Sequence, residues 1–219
     1  LIIADTGSTD RTMEIAEKYA DTLFQIPWSG DFGAARNETL DRAQGEWFFY
    51  IDADEVLDAD CEALIHLLQS EEAKKYQTIS MIRYEYADST RKEFTTTYYM
   101  RIHRRIPGNR FARKIHETLI AYSPIVQLPT LVHHSGYQKE VFREKQLRNR
   151  PLLEQEPGPM TPRRLRELSD TYAFDIPWEA DRKKELLYQA IEMESQDQSL
   201  GMYPSVYTSL ANLCLALKE

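Results

Sequence analysis

Along the first two-thirds of the chain, hydrophobic and polar positions switch between a strand rhythm and a helix rhythm. "LIIA" (residues 1–4) is a short apolar run, and "TLFQI" (22–26) is a second one stopped by Pro27. "EWFFYI" (46–51) is a third, apolar on both faces as in a covered strand of a parallel sheet. Between them "MEIAEKYA" sets Ile15, Ala16, Tyr19 and Ala20 at helical spacing, and "FGAARNETLDRAQ" is helical in composition and closed by Gly45. Strands joined by helices predict an α/β doubly wound sheet. A helix around "CEALIHLLQS" follows, and then the texture changes. "TISMIRYEYA" and "FTTTYYMRIHR" are rich in β-branched and aromatic residues, with "ADSTRKE" as the turn of an antiparallel hairpin. "PGN" at 107–109 is another turn, and "IVQLPTLVHHSGY" is a strand ending at a polar cluster.

From about Gln138 the strand signals vanish. "EVFREKQLRNRPLLEQE" is charged and helical, "PGPMTP" breaks it, and "RRLRELSDTYA", "EADRKKELLYQAIEMES" and "PSVYTSLANLCLALKE" predict further helices. Leu186, Leu187, Ala190, Ile191 and Met193 form a buried helix face there. Paired helices of this length resemble helical-repeat packing, without a clean period. The pattern therefore predicts an α/β domain over residues 1–140 and an all-helical region over 141–219.

Composition narrows the function classes. A chain of 219 residues with 42% hydrophobic content can bury a substantial core, and a net charge of -8 argues against a nucleic-acid or anionic-membrane partner. No apolar stretch approaches the roughly 20 residues needed to cross a bilayer, so no transmembrane segment is expected. Cys61 and Cys214 lie far apart with no metal-type spacing and read as reduced thiols of a cytosolic protein.

The candidate chemistry starts at "GEWFFYIDADEVLD", where an apolar run is followed directly by acids. On an extended strand Asp52 and Asp54 project to one side, with the small Ala53 leaving room between them. Two such carboxylates at the carboxyl end of a strand suit a hard cation such as Mg²⁺ or Mn²⁺. The same spacing also fits a solvated turn with aspartate as a helix N-cap. Glu55 points the other way and reads as structural. "ADTGSTDRT" fits either a capped turn or a loop that offers backbone N–H groups and a carboxylate to a nucleotide. In "SGDFGAARNETL", Arg36 is a natural diphosphate partner or else a surface ion pair. Arg101, Arg104, Arg105, Arg110, Arg113 and Lys114 form a basic cluster that fits a phosphate-bearing ligand or a solvated hairpin face.

Taken in order, "DTGSTD" (5–10), "FGAARN" (32–37) and "GEWFFYIDADE" (45–55) resemble the family 2 glycosyltransferases with a GT-A fold. "KIHETL" (114–119) and "HSGY" (134–137) continue the likeness, which covers roughly residues 1–137. The resemblance implies a GT-A-like mixed sheet flanked by helices, a UDP-linked nucleotide-sugar donor, Mn²⁺ or Mg²⁺, and inverting displacement. By position, Asp5 matches the aspartate that contacts the nucleoside base, and Arg36 matches a position near the nucleotide. Asp52 and Asp54 match the D-x-D motif, Asp52 toward the ribose and Asp54 toward a metal. His134 falls at a late metal or diphosphate contact, with His133 structural. The displacement needs a base near the acceptor, for which Glu117 is the first candidate and His116 the second; an exposed "HE" at a strand edge is the alternative. The implied acceptor is a cell-envelope glycan precursor, a lipid-linked sugar or a peptide. The helical region would dock it or mediate homo-oligomerisation, with the protein in the cytoplasm at the inner face of the membrane. The family's first strand, a "V-K-N-E"-like segment, has no counterpart here, which raises the expectation of a truncated chain. That departure leaves a non-catalytic binding module derived from such a domain as the competing expectation. A nucleotidyltransferase-like enzyme would call for a Gly-rich phosphate loop with a lysine, which the sequence lacks.

Overall fold

The computed structural model describes residues 1–135, 139–197 and 203–218. The chain divides into two compact units, Leu1–Glu140 and Val141–Glu219.

In the first unit, β1 (Ile2–Asp5) and β2 (Thr22–Gln25) pair in parallel, with α1 (Thr12–Ala16) on the crossover. That helix is shorter than its spacing predicts. Only Ala16 is buried, while Ile15 and Tyr19 stay 50% and 71% exposed. The helix α2 (Phe32–Arg42) starts at Asp31, whose carboxylate accepts the Ala34 N–H at 2.8 Å and so satisfies a first-turn donor.

The main sheet has five strands: β3 (Trp47–Phe49), β4 (Glu55–Leu57), β5 (Thr78–Tyr86), β6 (Phe94–Arg104) and β7 (Ile125–His134). Their order is β3-β6-β5-β7-β4. The β5–β6 hairpin is antiparallel as the pattern predicts, and β5 runs parallel to β7. The doubly wound parallel sheet is not what forms. The run at 46–51 yields a three-residue strand that pairs antiparallel with β6, burying Phe48 and leaving Phe49 38% exposed. The long hairpin supplies the sheet's centre, and the short strands β3 and β4 attach to the edges left by β6 and β7. The result is the mixed sheet flanked by helices that the resemblance implies.

One core joins Ile79, Met81, Ile102 and Val132 from the sheet to Leu64 and Leu67 from α3 (Glu62–Gln69) and to Ala73. Ile79 and Met81 are fully buried, each contributing about 1.5–3 kcal/mol relative to exposure. A second cluster of Phe48, Phe111 and Leu119, with Leu40 and Tyr50 against it, ties α2 to the segment 109–120. Two residues of "FGAARN" make that junction. A Cβ on Gly33 would stand 2.5 Å from the Arg113 carbonyl oxygen, so only glycine permits this approach. Asn37 accepts the Phe111 N–H at 2.9 Å and donates to the Phe111 carbonyl at 3.0 Å.

Four members of the basic cluster are engaged separately. Arg104 donates to the Ala73 and Tyr76 carbonyls at 2.8 and 2.7 Å, Arg105 donates to the Gly45 carbonyl, Arg110 pairs with Asp41, and Arg101 is buried. Only Arg101 and Arg104 lie on β6, while Arg105, Arg110, Arg113 and Lys114 follow in the irregular segment after it.

The second unit holds α4 (Lys139–Glu154), α5 (Pro162–Ser169), α6 (Pro177–Gln196) and α7 (Pro204–Leu217); the last three carry proline in the first turn. Leu186, Leu187 and Ala190 are buried, with Ile191 and Met193 partly so. The "PGP" break is closed by Arg164, which donates to the Glu156, Gly158 and Pro159 carbonyls at 2.6, 2.8 and 2.8 Å. Glu179, buried, receives both arms of Arg143 at 2.6 and 2.7 Å and the Ala173 N–H at 2.7 Å. Both cysteines are free thiols. Among the described residues no helix is long and apolar enough to cross a membrane.

Candidate functional site

The apolar run of β3 ends at Phe49, and the acids that follow lie in a turn leading into β4 rather than on a continuing strand. Strand alternation therefore does not set their directions. The turn is closed by two reciprocal bonds, from the Asp52 N–H to the Glu55 carboxylate and from the Glu55 N–H to the Asp52 carbonyl, both at 3.0 Å.

The carboxylates are matched by arginines from three other elements. Asp52 receives Arg36 of α2 at 2.5 Å on one oxygen and Arg101 of β6 at 2.9 Å on the other. Glu55, buried, receives Arg101 at 2.6 Å and Arg83 of β5 at 3.2 Å. Arg83 continues to Glu85, and at the far end Arg36 reaches Glu117 at 2.5 Å. Glu117, Arg36, Asp52, Arg101, Glu55, Arg83 and Glu85 thus form one chain of alternating charge. Arg101 also stacks on the rings of Tyr50 and Tyr99 at 4.5 and 4.1 Å from their centroids, and Arg83 stacks on Tyr99 at 3.8 Å. Burial works to raise the Asp52 pKa, but the charges of Arg36 and Arg101 outweigh it and hold the carboxyl below its ordinary value. Burial likewise opposes the Arg101 charge, and Asp52, Tyr99 and Glu55 overcome it.

Asp54 turns to a different partner. The antiparallel β4–β7 register sets Glu55 opposite His134, and this brings the Asp54 carboxylate to 3.5 Å from His134 Nε2. The Ser135 N–H donates to the Asp54 carbonyl at 3.2 Å. A carboxylate oxygen suits either Mn²⁺ or Mg²⁺, whereas an imidazole nitrogen suits a transition-metal ion, so the pair fits Mn²⁺ better than Mg²⁺. Such ions are commonly held by one or two protein ligands plus substrate phosphates. Among the described residues no group of three potential ligands stands together, so the pair fits as half of such a site. The neighbouring His133 is engaged elsewhere, with Nδ1 at 2.6 Å from the Tyr86 hydroxyl and Nε2 at 2.8 Å from Asp58.

Asp5 is 5% exposed, and its carboxylate is occupied by its own loop. It accepts from the Ser8 hydroxyl at 2.5 Å, from the Gly7 and Ser8 N–H groups at 3.0 Å, and from Gln25 at 3.3 Å. The Ser8 hydroxyl bond is the main reason its pKa is lowered. Gly7, at φ 114°, makes the turn possible. No hydrogen bond or ion pair among the described residues links Asp5 to the aspartate turn. His116 is exposed and left-handed at φ 51°, directly before Glu117. Gly136 and Tyr137 of "HSGY" lie outside the described residues.

The structure therefore brings Arg36, Asp52 and Glu117 together and sets Asp54 beside His134. Of the residues that organise the site, Arg101 enters the sequence reading only as one member of the basic cluster, while the parts played by Arg83 and Tyr99 escape it. Their one signal is charge within otherwise apolar or aromatic strands, "SMIRYEY" and "YYMRI".

Comparison with known proteins fits this picture. The model of the family "Glycosyl transferase family 2" matches residues 1–145. The TPR repeat-containing protein Synpcc7942_0270 of Synechococcus elongatus is 30% identical over 191 residues, covering 82% of this chain and 43% of that protein. The SPbeta prophage-derived glycosyltransferase SunS of Bacillus subtilis is 26% identical over 166 residues, covering 71% of this chain and 38% of that protein. The lipopolysaccharide core biosynthesis glycosyltransferase LpsC of Rhizobium meliloti is 34% identical over 70 residues, covering 30% of this chain and 26% of that protein. The chain spans less than half the length of each of these relatives.

Proposed function

Because the chain belongs to glycosyl transferase family 2, we propose that it transfers a sugar from a nucleotide-sugar donor, UDP-linked, to an acceptor by inverting displacement. The observation that carries this reading is the convergence on one turn of residues distant in sequence. Arg36 and Glu117 meet at Asp52's side of it, and His134 stands at Asp54's.

In this reading Asp52 receives the ribose hydroxyls, and Arg36, already aimed at the turn, extends its charge to the diphosphate. The loop that Asp5 closes shapes the nucleoside pocket. Asp54 and His134 would hold Mn²⁺ or Mg²⁺, which when bound neutralises charge on the departing diphosphate. Glu117 takes the proton from the acceptor hydroxyl as its oxygen bonds to the anomeric carbon and the bond to the diphosphate breaks. The diphosphate leaves with that bond's electron pair. Arg36 fixes the orientation of Glu117, and His116 is the next group in reach of an acceptor. Residues 1–140 are the transferase domain. The helical unit, 141–219, docks the acceptor or a second copy, at the cytoplasmic face of a membrane. The acceptor class is a cell-envelope glycan precursor, a lipid-linked sugar or a peptide. SunS and LpsC are named as glycosyltransferases, and LpsC as one of lipopolysaccharide core biosynthesis.

The test is a thermal-shift panel of UDP- and GDP-sugars, with and without Mn²⁺, on the full-length protein. A ligand that binds only the folded state raises its melting temperature. A Mn²⁺-dependent rise with one donor, lost in Asp54→Ala, supports the reading. No rise with any donor refutes it, and a rise unchanged in Asp54→Ala removes the metal role from that residue.

A further inference from the structure

We propose that Arg101 is the positioning residue of the donor site, the group that sets where the Asp52 carboxylate stands. The inference rests on the glycosyltransferase reading above. Four observations carry it.

Arg101 is 2% exposed, so its charge has been taken out of water and must be answered by carboxylates. One terminal nitrogen, Nη2, serves both Asp52 and Glu55, while Glu55 in turn accepts the Asp52 N–H. The guanidinium, the turn backbone and the two acids thus close a ring that leaves the Asp52 carboxylate no independent rotation. The plane of the guanidinium is fixed separately by its stacking on Tyr50 and Tyr99. Finally, the Arg101 carbonyl accepts the Tyr50 N–H at 3.3 Å, so its backbone is registered to the segment that enters the turn.

Its Nε is buried without a hydrogen-bond partner. The contact of the guanidinium with both acids is made through Nη2. Arg36 differs. It is more exposed and shared with Glu117, which suits a group that changes partners when a diphosphate arrives. A lysine at 101 would keep the charge but could not stack on two rings and bridge two acids at once.

The experiment is calorimetric titration of the full-length protein with UDP and with GDP in Mn²⁺, using wild type, Arg101→Lys, Asp52→Asn, the double variant, and Arg104→Lys as control. Arg104 lies on the same strand but bonds the Ala73 and Tyr76 carbonyls. The expected result is a tenfold or greater loss of nucleotide affinity in Arg101→Lys and no additional loss in the double variant over Asp52→Asn, since Arg101 acts through Asp52. Arg104→Lys should melt earlier and bind as wild type does. Equal affinity in Arg101→Lys, additive losses in the double variant, or an equal loss in Arg104→Lys each overturn the inference alone. Wild type binding neither nucleotide overturns the transferase reading and this inference with it. Tyr99→Leu, which strips one stacking face and touches no charge, is the second arm should Arg101→Lys not fold. It too must lose nucleotide affinity, and unchanged binding there is equally fatal.

Discussion

Replacing Gly33 with alanine sets two opposing effects against each other. Intrinsic helix propensity favours alanine, by less than the roughly 1 kcal/mol of a helix interior because Gly33 lies in the first turn of α2. Against it, the new methyl would stand 2.5 Å from the Arg113 carbonyl oxygen, well inside contact distance. That oxygen belongs to backbone, and the residue is held in a loop closed by two hydrogen bonds between Ala112 and Thr118 at 3.0 and 3.1 Å. The loop cannot yield locally, so α2 must withdraw by about 1 Å to restore an ordinary carbon contact distance. Withdrawal strains the junction by roughly 1–3 kcal/mol and weakens the 2.8 Å bond from the Phe32 N–H to the Lys114 carbonyl, worth about 1 kcal/mol. The net expectation is a loss of about 1–3 kcal/mol, or roughly 2–4 °C of melting temperature per kcal/mol for a chain of this size. The same withdrawal lengthens the bond between Arg36 and Glu117, so transfer activity should fall further than the folded fraction does. Urea unfolding followed by circular dichroism measures the first effect, and donor turnover at a temperature where the variant is folded measures the second. A Gly33→Ala protein as stable as wild type, or more so, would show that the loop relaxes and that the close approach is not a constraint.

Other perturbations probe the buried charge in each unit. Glu55→Leu removes the carboxylate shared by Arg83 and Arg101 and leaves buried guanidinium charge under-compensated. The expected cost is about 3–5 kcal/mol in urea unfolding, and a cost below about 1 kcal/mol would mean the network contributes little. In the helical unit, the hydrogen bonds of Arg143 hold Glu179 at about 2, below the ordinary 4.5 of a glutamate, so its contribution is complete above the unfolded value and lost as pH falls toward the folded one. Glu179→Gln should therefore be less stable than wild type at neutral pH, by at most about 3 kcal/mol, and the gap should close in acid denaturation between pH 4.5 and 2. A gap that stays constant through that window refutes the ion-pair account.

Local periodicity made much of the fold legible. The β5–β6 hairpin, the helices on either side of the "PGP" break and the buried face of α6 follow from spacing and turn residues alone. The partner of β3 did not, because a three-residue strand carries no pattern that distinguishes a parallel neighbour from the edge of a distant hairpin. The pairing of Arg83 and Arg101 with the acids was hidden for a related reason, although Arg101 was visible as one member of a basic cluster. Which face of β6 meets the acids depends on its pairing with β5, and the irregularity between Ile79 and Ser80 shifts that register without a local signal. In the case of Asp5, the sequence identified a tight loop but not that the carboxylate would be consumed in closing it.

The acids of "DADE" illustrate how one turn can serve two chemistries. A carboxylate beside an apolar core must be matched by a cation, and a guanidinium that donates to its oxygens repels a metal's charge while leaving each oxygen a further lone pair for a hydroxyl group. Asp52, with an arginine on each oxygen, is therefore a poor first ligand for a divalent ion and a good fixed acceptor for hydroxyl groups. Asp54 lies outside that chain of arginine–carboxylate pairs and faces an imidazole, which in its neutral form brings a nitrogen lone pair and no opposing charge. On the proposed reading, the division that the family resemblance implies, Asp52 toward the ribose and Asp54 toward the cation, would have an electrostatic cause: which of the two aspartates the arginines of α2 and β6 reach.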